Sequence, residues 1–233
     1  MVRYGGWKTL IFVALLSLCA VGPVAAQGAT YADPQGRFTF TAPTGWQPGS
    51  LPPSANLPAG TAVGAVFTAA APLNGNFNVV TVAVPTGVNL DQVVTQSRAG
   101  VAQSLPGYQE GPGGIQTLTV GGQPARRYDY SLSPPQAGTL HGAQIITMQA
   151  NTIYVITFTA AENDFATFFQ QGATALNSLT LKGDTGGTTV TALPNTGMPT
   201  VTRWRNAREL IVVMGSCALI AAGSLLRRRY SGA

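Results

Sequence analysis

Two uncharged apolar stretches lie at opposite ends of the 233-residue chain, and they restrict where a globular fold can form. The first covers residues 10–21, behind Arg3 and Lys8, and the second covers residues 210–226, ahead of three arginines. A helix over the second stretch is about 25 Å long, close to the thickness of a bilayer core. The first stretch is too short for a comfortable span. A globular domain must therefore form between the two.

Residues 1–26 have the pattern of a secretory signal peptide. Gly22-Pro23 breaks the first apolar stretch, and the small residues Val24-Ala25-Ala26 follow it. Signal peptidases cut after such small residues, so we expect cleavage between Ala26 and Gln27. An uncleaved N-terminal anchor is the alternative.

A short motif precedes the second apolar stretch, and it consists of Leu193, Pro194, Asn195, Thr196 and Gly197. The motif, the apolar span and the arginine tail, in this order, resemble the cell-wall sorting signal of sortase substrates in Gram-positive-type bacteria. The resemblance implies that a sortase cysteine attacks the carbonyl of Thr196, that Gly197 leaves, and that an amine on a cell-wall precursor resolves the thioester. It makes a sortase and a cell-wall precursor the expected partners, and the cell wall the expected location.

The spacer between the motif and the span, residues 198–209, is longer than in most sorting signals and contains three arginines. It could hold the motif away from the membrane. It could also mean that no sortase acts, which would leave a bitopic membrane protein with an outward-facing domain. The expected organisation is a signal peptide (1–26), an extracytoplasmic α+β domain (27–181), a flexible linker (182–192), the sortase motif (193–197), the spacer (198–209), a transmembrane helix (210–226) and a basic cytoplasmic tail (227–233).

The charge of the chain belongs mainly to these targeting segments. The whole chain has a formal net charge of +5, but residues 27–197 contain five basic and seven acidic residues, a net −2. A nucleic-acid partner therefore has no electrostatic basis. Both cysteines, Cys19 and Cys217, lie in the apolar stretches, and His141 is the only histidine. We thus expect no disulfide, no zinc site of ordinary ligand type and no cofactor in the domain.

The domain alternates polar and apolar residues over several short segments, which is typical of half-buried strands. Two segments have helical periodicity instead, with Asn89 as the expected N-cap of the first and Asn163 or Asp164 as that of the second. Gly121-Gly122 predicts a tight hairpin turn. We expect an α+β fold, an antiparallel sheet layered with two main helices. The predicted strands are 31–42, 62–71, 78–84, 115–120, 125–132, 140–150 and 152–160, and the predicted helices are 90–105 and 165–177.

Several of these segments resemble the PsbP-like family. Residues 33–40 (DPQGRFTF) and 43–46 (PTGW) look like the opening of such domains, and residues 121–126 and 154–160 look like their glycine hairpin and late strand. The resemblance covers most of residues 31–181. It implies a PsbP-like layered sandwich and an extracytoplasmic, non-enzymatic assembly or binding module.

Catalytic chemistry has little support in the sequence. A triad would need His141 with Ser131 or Ser133 and Asp129, and no nucleophile-elbow spacing is present. A strand or loop histidine that faces solvent is the simpler interpretation. We expect a secreted, surface-attached binding or scaffolding domain rather than an enzyme, with an extracytoplasmic hydrolase that uses His141 as an alternative.

Other polar residues have ordinary structural explanations. Asp33, Glu162 and Asp164 lack the spacing of a calcium loop, and the last two suit a helix N-terminus. The segment from Arg126 to Tyr130 is the densest polar-aromatic cluster. Alternation places Arg126, Tyr128 and Tyr130 on one face of a strand and Arg127 and Asp129 on the other. A ligand patch on this strand is possible, but edge packing and a cross-strand ion pair explain the residues equally well.

Overall fold

The computed structural model describes residues 28–49, 61–69, 71–73, 75–105, 107–134 and 138–182. The predicted signal peptide, sortase motif, spacer, membrane span and tail lie outside these residues, as does the predicted linker apart from Lys182. Neither helix within the described residues is long and apolar enough to cross a membrane.

The described residues form an antiparallel α+β fold with two helices, as predicted. Strands β1 to β5 precede the first helix, β6 to β10 lie between the helices, and β11 ends the fold. The strands are β1 (Thr30–Ala32), β2 (Phe38–Thr41), β3 (Gln47–Pro48), β4 (Thr61–Thr68), β5 (Gly75–Ala83), β6 (Gln109–Glu110), β7 (Gln116–Val120), β8 (Gln123–Leu132), β9 (Leu140–Gln149), β10 (Thr152–Ala161) and β11 (Thr180–Leu181), and the helices are α1 (Leu90–Ser104) and α2 (Glu162–Ser178).

Eight strands make one large sheet in the order β3-β4-β5-β10-β9-β8-β6, with β7 also paired to β8. Strands β1, β2 and β11 make a second sheet of three. Helix α1 packs against β8 and β9 on one face of the large sheet, and α2 packs on the opposite face beside the small sheet. We call these the α1 face and the α2 face. The central strands are therefore covered on both faces.

Local sequence explains the turn between β7 and β8 and the start of the first helix. Gly121 and Gly122 both have positive φ (58° and 78°), as the predicted tight turn between β7 and β8 requires. Asn89 caps α1, because its side-chain oxygen accepts the backbone N–H of Asp91 at 2.8 Å and that of Gln92 at 3.4 Å. The predicted cap of α1 is confirmed.

Two predicted elements were wrong in detail. The segment 31–42 is not one strand but the hairpin of β1 and β2, because a turn closed by Gly36 N–H to Asp33 carbonyl (2.8 Å) reverses the chain. Helix α2 begins at Glu162, and neither Asn163 nor Asp164 caps it. Strand β10 instead runs directly into the helix, and the Glu162 N–H bonds the Thr139 carbonyl at 3.1 Å.

A buried ion pair holds the β1–β2 hairpin to the large sheet. Arg37 donates to both carboxylate oxygens of Asp33, from Nε and from Nη2, at 2.7 Å each. Its Nη1 also bonds the Thr81 hydroxyl on β5. Both charged residues are more than nine-tenths buried, and the two-point geometry compensates for their lost hydration. Both carboxylate oxygens of Asp33 are thus already paired with Arg37.

Candidate functional site

Ionisable and aromatic side chains gather where β8 and β9 meet α2. Asp129 and Arg127 lie two residues apart on β8 and share its α2 face. Arg127 donates from Nε and Nη2 to the two carboxylate oxygens of Asp129, at 2.7 Å each. We call the whole group the His141 cluster, and it consists of Arg127, Asp129, His141, Glu162, Phe165 and Phe169.

His141 lies at the centre of the cluster, on β9. Its Nδ1 is 3.4 Å from Glu162 Oε1 at the start of α2, and its Nε2 is 3.8 Å from Asp129 Oδ2. The imidazole stacks on the ring of Phe165, with 3.9 Å between centroids and 8° between planes. Only 27% of the His141 side chain is exposed, so the expected solvent-facing histidine is instead a half-buried one between two carboxylates.

His141 and Asp129 shift each other's pKa. The Asp129 carboxylate raises the pKa of His141 above its ordinary value, burial opposes that rise, and Glu162 adds to it. Burial acts to raise the pKa of Asp129, but interactions with His141 and Arg127 together lower it. Both shifts favour the charged forms, so the cluster is a network of ion pairs that links β8 and β9 to α2.

A hydrolytic triad is only partly assembled here. Ser131 is directly opposite His141 in the register of β8 and β9. Within the described residues, however, no serine hydroxyl bonds the imidazole, and both ring nitrogens face carboxylates. Ser133 is exposed after the end of β8. His141 Nδ1 contacts Glu162, and Nε2 makes no hydrogen bond although it lies 3.8 Å from Asp129 Oδ2. Among these residues the imidazole is therefore not placed against a serine nucleophile.

Aromatic stacking is the second component of the cluster. The guanidinium carbon of Arg127 lies 4.0 Å from the centroid of the Phe169 ring, a cation–π distance. Phe165 and Phe169 stack on each other one helical turn apart, at 5.7 Å. No group of three His, Cys, Asp or Glu side chains in the described part of the chain is arranged to hold a metal ion. The arrangement suits helix docking or recognition of a charged or aromatic partner group.

The alternating residues of β8 lie on the opposite face, as predicted. Arg126 pairs with Asp91 of α1 at 2.8 Å, and Arg127 pairs along its own strand rather than across strands. Tyr128 and Tyr130 are buried beneath α1. The hydroxyl groups of Tyr128 and Ser97 both donate to Gln144 Oε1. The sequence analysis missed Ser97 and Gln144, although a glutamine inside an apolar strand was a visible signal.

An open cleft of about 440 Å³ lies at the edge of the fold, lined by residues 28–31 and 42–46 with Pro48 and Phe67. Trp46 in its wall stacks on Phe168 at 4.8 Å and donates its indole N–H to Gln171 Oε1 at 3.2 Å. Among the described residues, no charged side chain lines the cleft. It therefore offers apolar and backbone contacts rather than acid–base chemistry.

No protein-family model and no curated protein sequence matches the chain. Among solved structures, the solution structure of cyanobacterial PsbP (CyanoP) from Synechocystis sp. PCC 6803 matches with a TM-score of 0.51 and 19% identity, over 71% of this chain and 99% of CyanoP. LpqN, described as involved in cell envelope biogenesis of Mycobacterium tuberculosis, matches with a TM-score of 0.45 and 14% identity, over 66% of this chain and 89% of LpqN. The CyanoP match confirms the predicted PsbP-like fold.

Proposed function

We propose that the chain is a secreted binding or scaffolding domain, attached to the outer surface of the cell through its sorting signal. The observation that carries the proposal is the order of the motif 193–197, the apolar span 210–226 and the arginine tail 227–229, behind an N-terminal signal peptide. Each part has a separate physical use, and coincidence of all of them in one chain is improbable.

The motif suits attack by a sortase. Pro194 has a fixed φ and disfavours helical conformations at Leu193, so the segment enters a groove in extended form. Leu193 can then fill an apolar pocket, as alternate side chains of an extended peptide do. The missing side chain of Gly197 leaves room for the nucleophile at the carbonyl of Thr196. The chain is the substrate in this reaction, and Asn195 points away from the enzyme.

The described domain supports a binding role over a catalytic one. Its PsbP-like fold has three layers, and both nitrogens of His141 face carboxylates rather than a nucleophile. If the domain nevertheless hydrolyses a substrate through His141, the change His141→Ala will abolish that activity. On the proposed function, the same change leaves binding intact.

Two variants test the attachment. Thr196→Ala removes the side chain that the sortase groove recognises, and Gly197→Val crowds the attacking sulfur with a β-branched side chain. We expect the parent protein to be released only by wall-degrading enzymes, and both variants to stay in the membrane fraction through residues 210–226. Thr191→Ala, the same substitution just outside the motif, should be processed like the parent.

The alternative is a permanent membrane protein, and the arginine-containing spacer 198–209 is the observation that favours it. On that alternative the parent extracts with detergent alone and retains Arg227, Arg228 and Arg229. That result would overturn wall attachment but would keep the outward-facing domain.

A further inference from the structure

Strand β7 lies at an open edge of the large sheet. It runs antiparallel to β8, with Gln116 opposite Arg127 and Val120 opposite Gln123. Within the described residues, β7 pairs with no strand other than β8. Every second N–H and C=O group of its backbone therefore points away from β8, where a further strand can bond it.

The other edges of the large sheet are protected against such pairing. Strand β3 has only two residues, and one of them is Pro48, which has no N–H to donate. Strand β6 also has two residues, and the charged Glu110 is one of them. Beyond β3, a bulge interrupts β4, and the Tyr31 hydroxyl bonds the Gly64 carbonyl there. Short length, proline, charge and bulges are the means by which proteins keep sheet edges from pairing.

Strand β7 has none of these protective features. It is five residues long, from Gln116 to Val120, and contains neither a charge nor a proline. Three of its side chains are exposed, those of Gln116, Thr117 and Thr119. Ile115, directly before the strand, is an exposed large hydrophobic residue. An edge of this kind is a template for pairing with a strand of another molecule.

The charges beside the β7 edge compensate one another. On the α1 face of β8, Arg126 pairs with Asp91, and on the α2 face Arg127 pairs with Asp129. Residues 27–197 as a whole have a net charge of only −2. Two copies of the chain that meet at this edge therefore bring no row of like charges together.

We propose that two copies of the chain pair through β7, antiparallel about a two-fold axis at Leu118, and form one continuous sheet. A two-fold axis perpendicular to the sheet places each residue opposite one on the same face. In this register Leu118 is opposite Leu118 of the second copy, and Thr117 is opposite Thr119. Gln116 is opposite Val120, so all five residues of β7 are paired.

The side chains of β7 are complementary to themselves in this register, which favours a second copy over an unrelated strand. Thr117 and Thr119 lie on the α1 face, since Thr117 is opposite Arg126 on β8. The dimer therefore has two Thr–Thr pairs on that face, a favourable cross-strand combination. Leu118 packs against the core of the α2 face and is half-buried. Its contact with the second Leu118 extends that core across the axis.

The glycine-rich loop before β7, residues 111–114, does not obstruct the pairing. Ile115 is opposite Gly121 of the second copy, where the strand already turns into β8. The loop therefore lies past the end of the second hairpin. The pairing goes beyond the proposed surface attachment and depends on the described domain alone, so either proposal can fail while the other stands.

Cysteine cross-linking tests the register. In the full chain in detergent, Cys19 and Cys217 are replaced by serine, and Leu118→Cys is added. The two Leu118 Cα atoms would be about 4.5–5.5 Å apart, a separation that a disulfide can bridge. Ile115→Cys is the control, because that position is more exposed but would be about 20 Å from its copy.

After mild oxidation, non-reducing electrophoresis should show a covalent dimer for Leu118→Cys and a monomer for Ile115→Cys. A monomer for Leu118→Cys, or equal cross-linking at both positions, would overturn the proposal.

A second variant tests the edge without a change at a half-buried position. Thr119→Lys places a charge on the exposed edge, as natural proteins do to prevent pairing, and should weaken dimerisation about tenfold or more. Thr167→Lys is the matched control, an exposed threonine of α2 on which the proposed pairing does not depend. Sedimentation equilibrium of both full-length variants and the parent measures the effect. If Thr119→Lys associates as the parent does, or no more weakly than Thr167→Lys, β7 is not the interface.

Discussion

The two faces of the large sheet are built from the same strands but differ in chemistry. On the α2 face, Phe77 of β5 and Phe158 of β10 lie 5.0 Å apart between ring centroids, and Phe168 of α2 packs on Phe158 at 5.9 Å. On the α1 face, the adjacent positions Asn78 and Thr157 are polar and lack full hydrogen bonding. One face is therefore a closed aromatic core, and the other combines apolar core residues with buried polar side chains.

The difference shows which face contributes more to the stability of the domain. Aromatic rings at these separations gain about 0.5–1.5 kcal/mol per pair beyond the area they bury. The buried polar side chains of the α1 face gain less, because several of their polar atoms are desolvated without a hydrogen-bond partner. We therefore expect truncations in the aromatic core of the α2 face to cost more stability than substitutions of these polar side chains.

The largest effect is expected from Phe158→Ala, which opens a cavity in the aromatic core. The ring is completely buried between Phe77, Phe168 and Phe169, so its loss should cost about 3–5 kcal/mol in the free energy of unfolding. Denaturant unfolding measures the change. Ile115→Ala is the control, since Ile115 is 43% exposed and its truncation should cost less than about 0.5 kcal/mol. Similar losses for both variants would contradict the aromatic core.

Gly142→Ala should have the next largest effect, because the added Cβ would lie 2.4 Å from the Tyr130 ring. Overpacking of this kind costs about 1–3 kcal/mol. Gly142→Ala should cost less stability when it is added to Tyr130→Leu than when it is added to the parent, since the obstructing ring is gone. Strict additivity of the two unfolding free energies would mean that the ring does not lie over Gly142.

The two helices differ in how they begin, so substitutions at their starts should differ in their effect on stability. Asn89→Ala removes the side-chain cap of α1 and should cost about 1 kcal/mol of stability. Asn163→Ala should cost less than about 0.5 kcal/mol, because α2 has no side-chain cap. Thermal unfolding of both variants checks the difference. Equal losses would restore the sequence-based expectation that Asn163 caps α2.

The smallest change in stability is expected from a substitution of His141, and this change should depend on pH. Interaction with Asp129 of β8 and Glu162 of α2 raises the pKa of His141, while Arg127 is already paired with Asp129. The protonated imidazole therefore stabilises the fold fully below its unfolded pKa of about 6.5, and this contribution disappears as pH rises through the folded pKa.

The change His141→Gln measures this contribution. The Tm difference between parent and variant should be largest below about pH 6.5 and should shrink as pH rises through the raised pKa of His141, because the imidazole then loses its proton. A difference that stays constant or grows with pH would show that the imidazole is not held by the two carboxylates.

Much of the fold could be predicted from the sequence, because local signals specify it. The Asn89 cap and the Gly121-Gly122 turn act within a few residues, and alternation correctly separated Arg127 from Tyr128. The α2 start could not be predicted in this way. Glu162 follows β10 without a loop, and the carbonyl that satisfies its N–H belongs to Thr139, which is distant in sequence.

The burial of the two β5 amides, Asn76 and Asn78, could not be predicted for a related reason. In β5, alternation of Asn76 and Asn78 with apolar residues is typical of a strand with one solvent-exposed face. In the structure both faces of β5 are buried, so the same pattern places amides in the interior. The His141 cluster likewise depends on residues 129, 141 and 162, which only the sheet register and the docking of α2 bring together.

Intact mass spectrometry of the protein recovered from its native envelope tests the central claim, a secreted domain attached through its sorting signal. The account predicts a mature chain that begins at Gln27 and ends at Thr196, joined to a fragment of the cell wall. A chain that still contains Arg227, Arg228 and Arg229 would contradict wall attachment. A chain that begins at Met1 would contradict cleavage of the signal peptide.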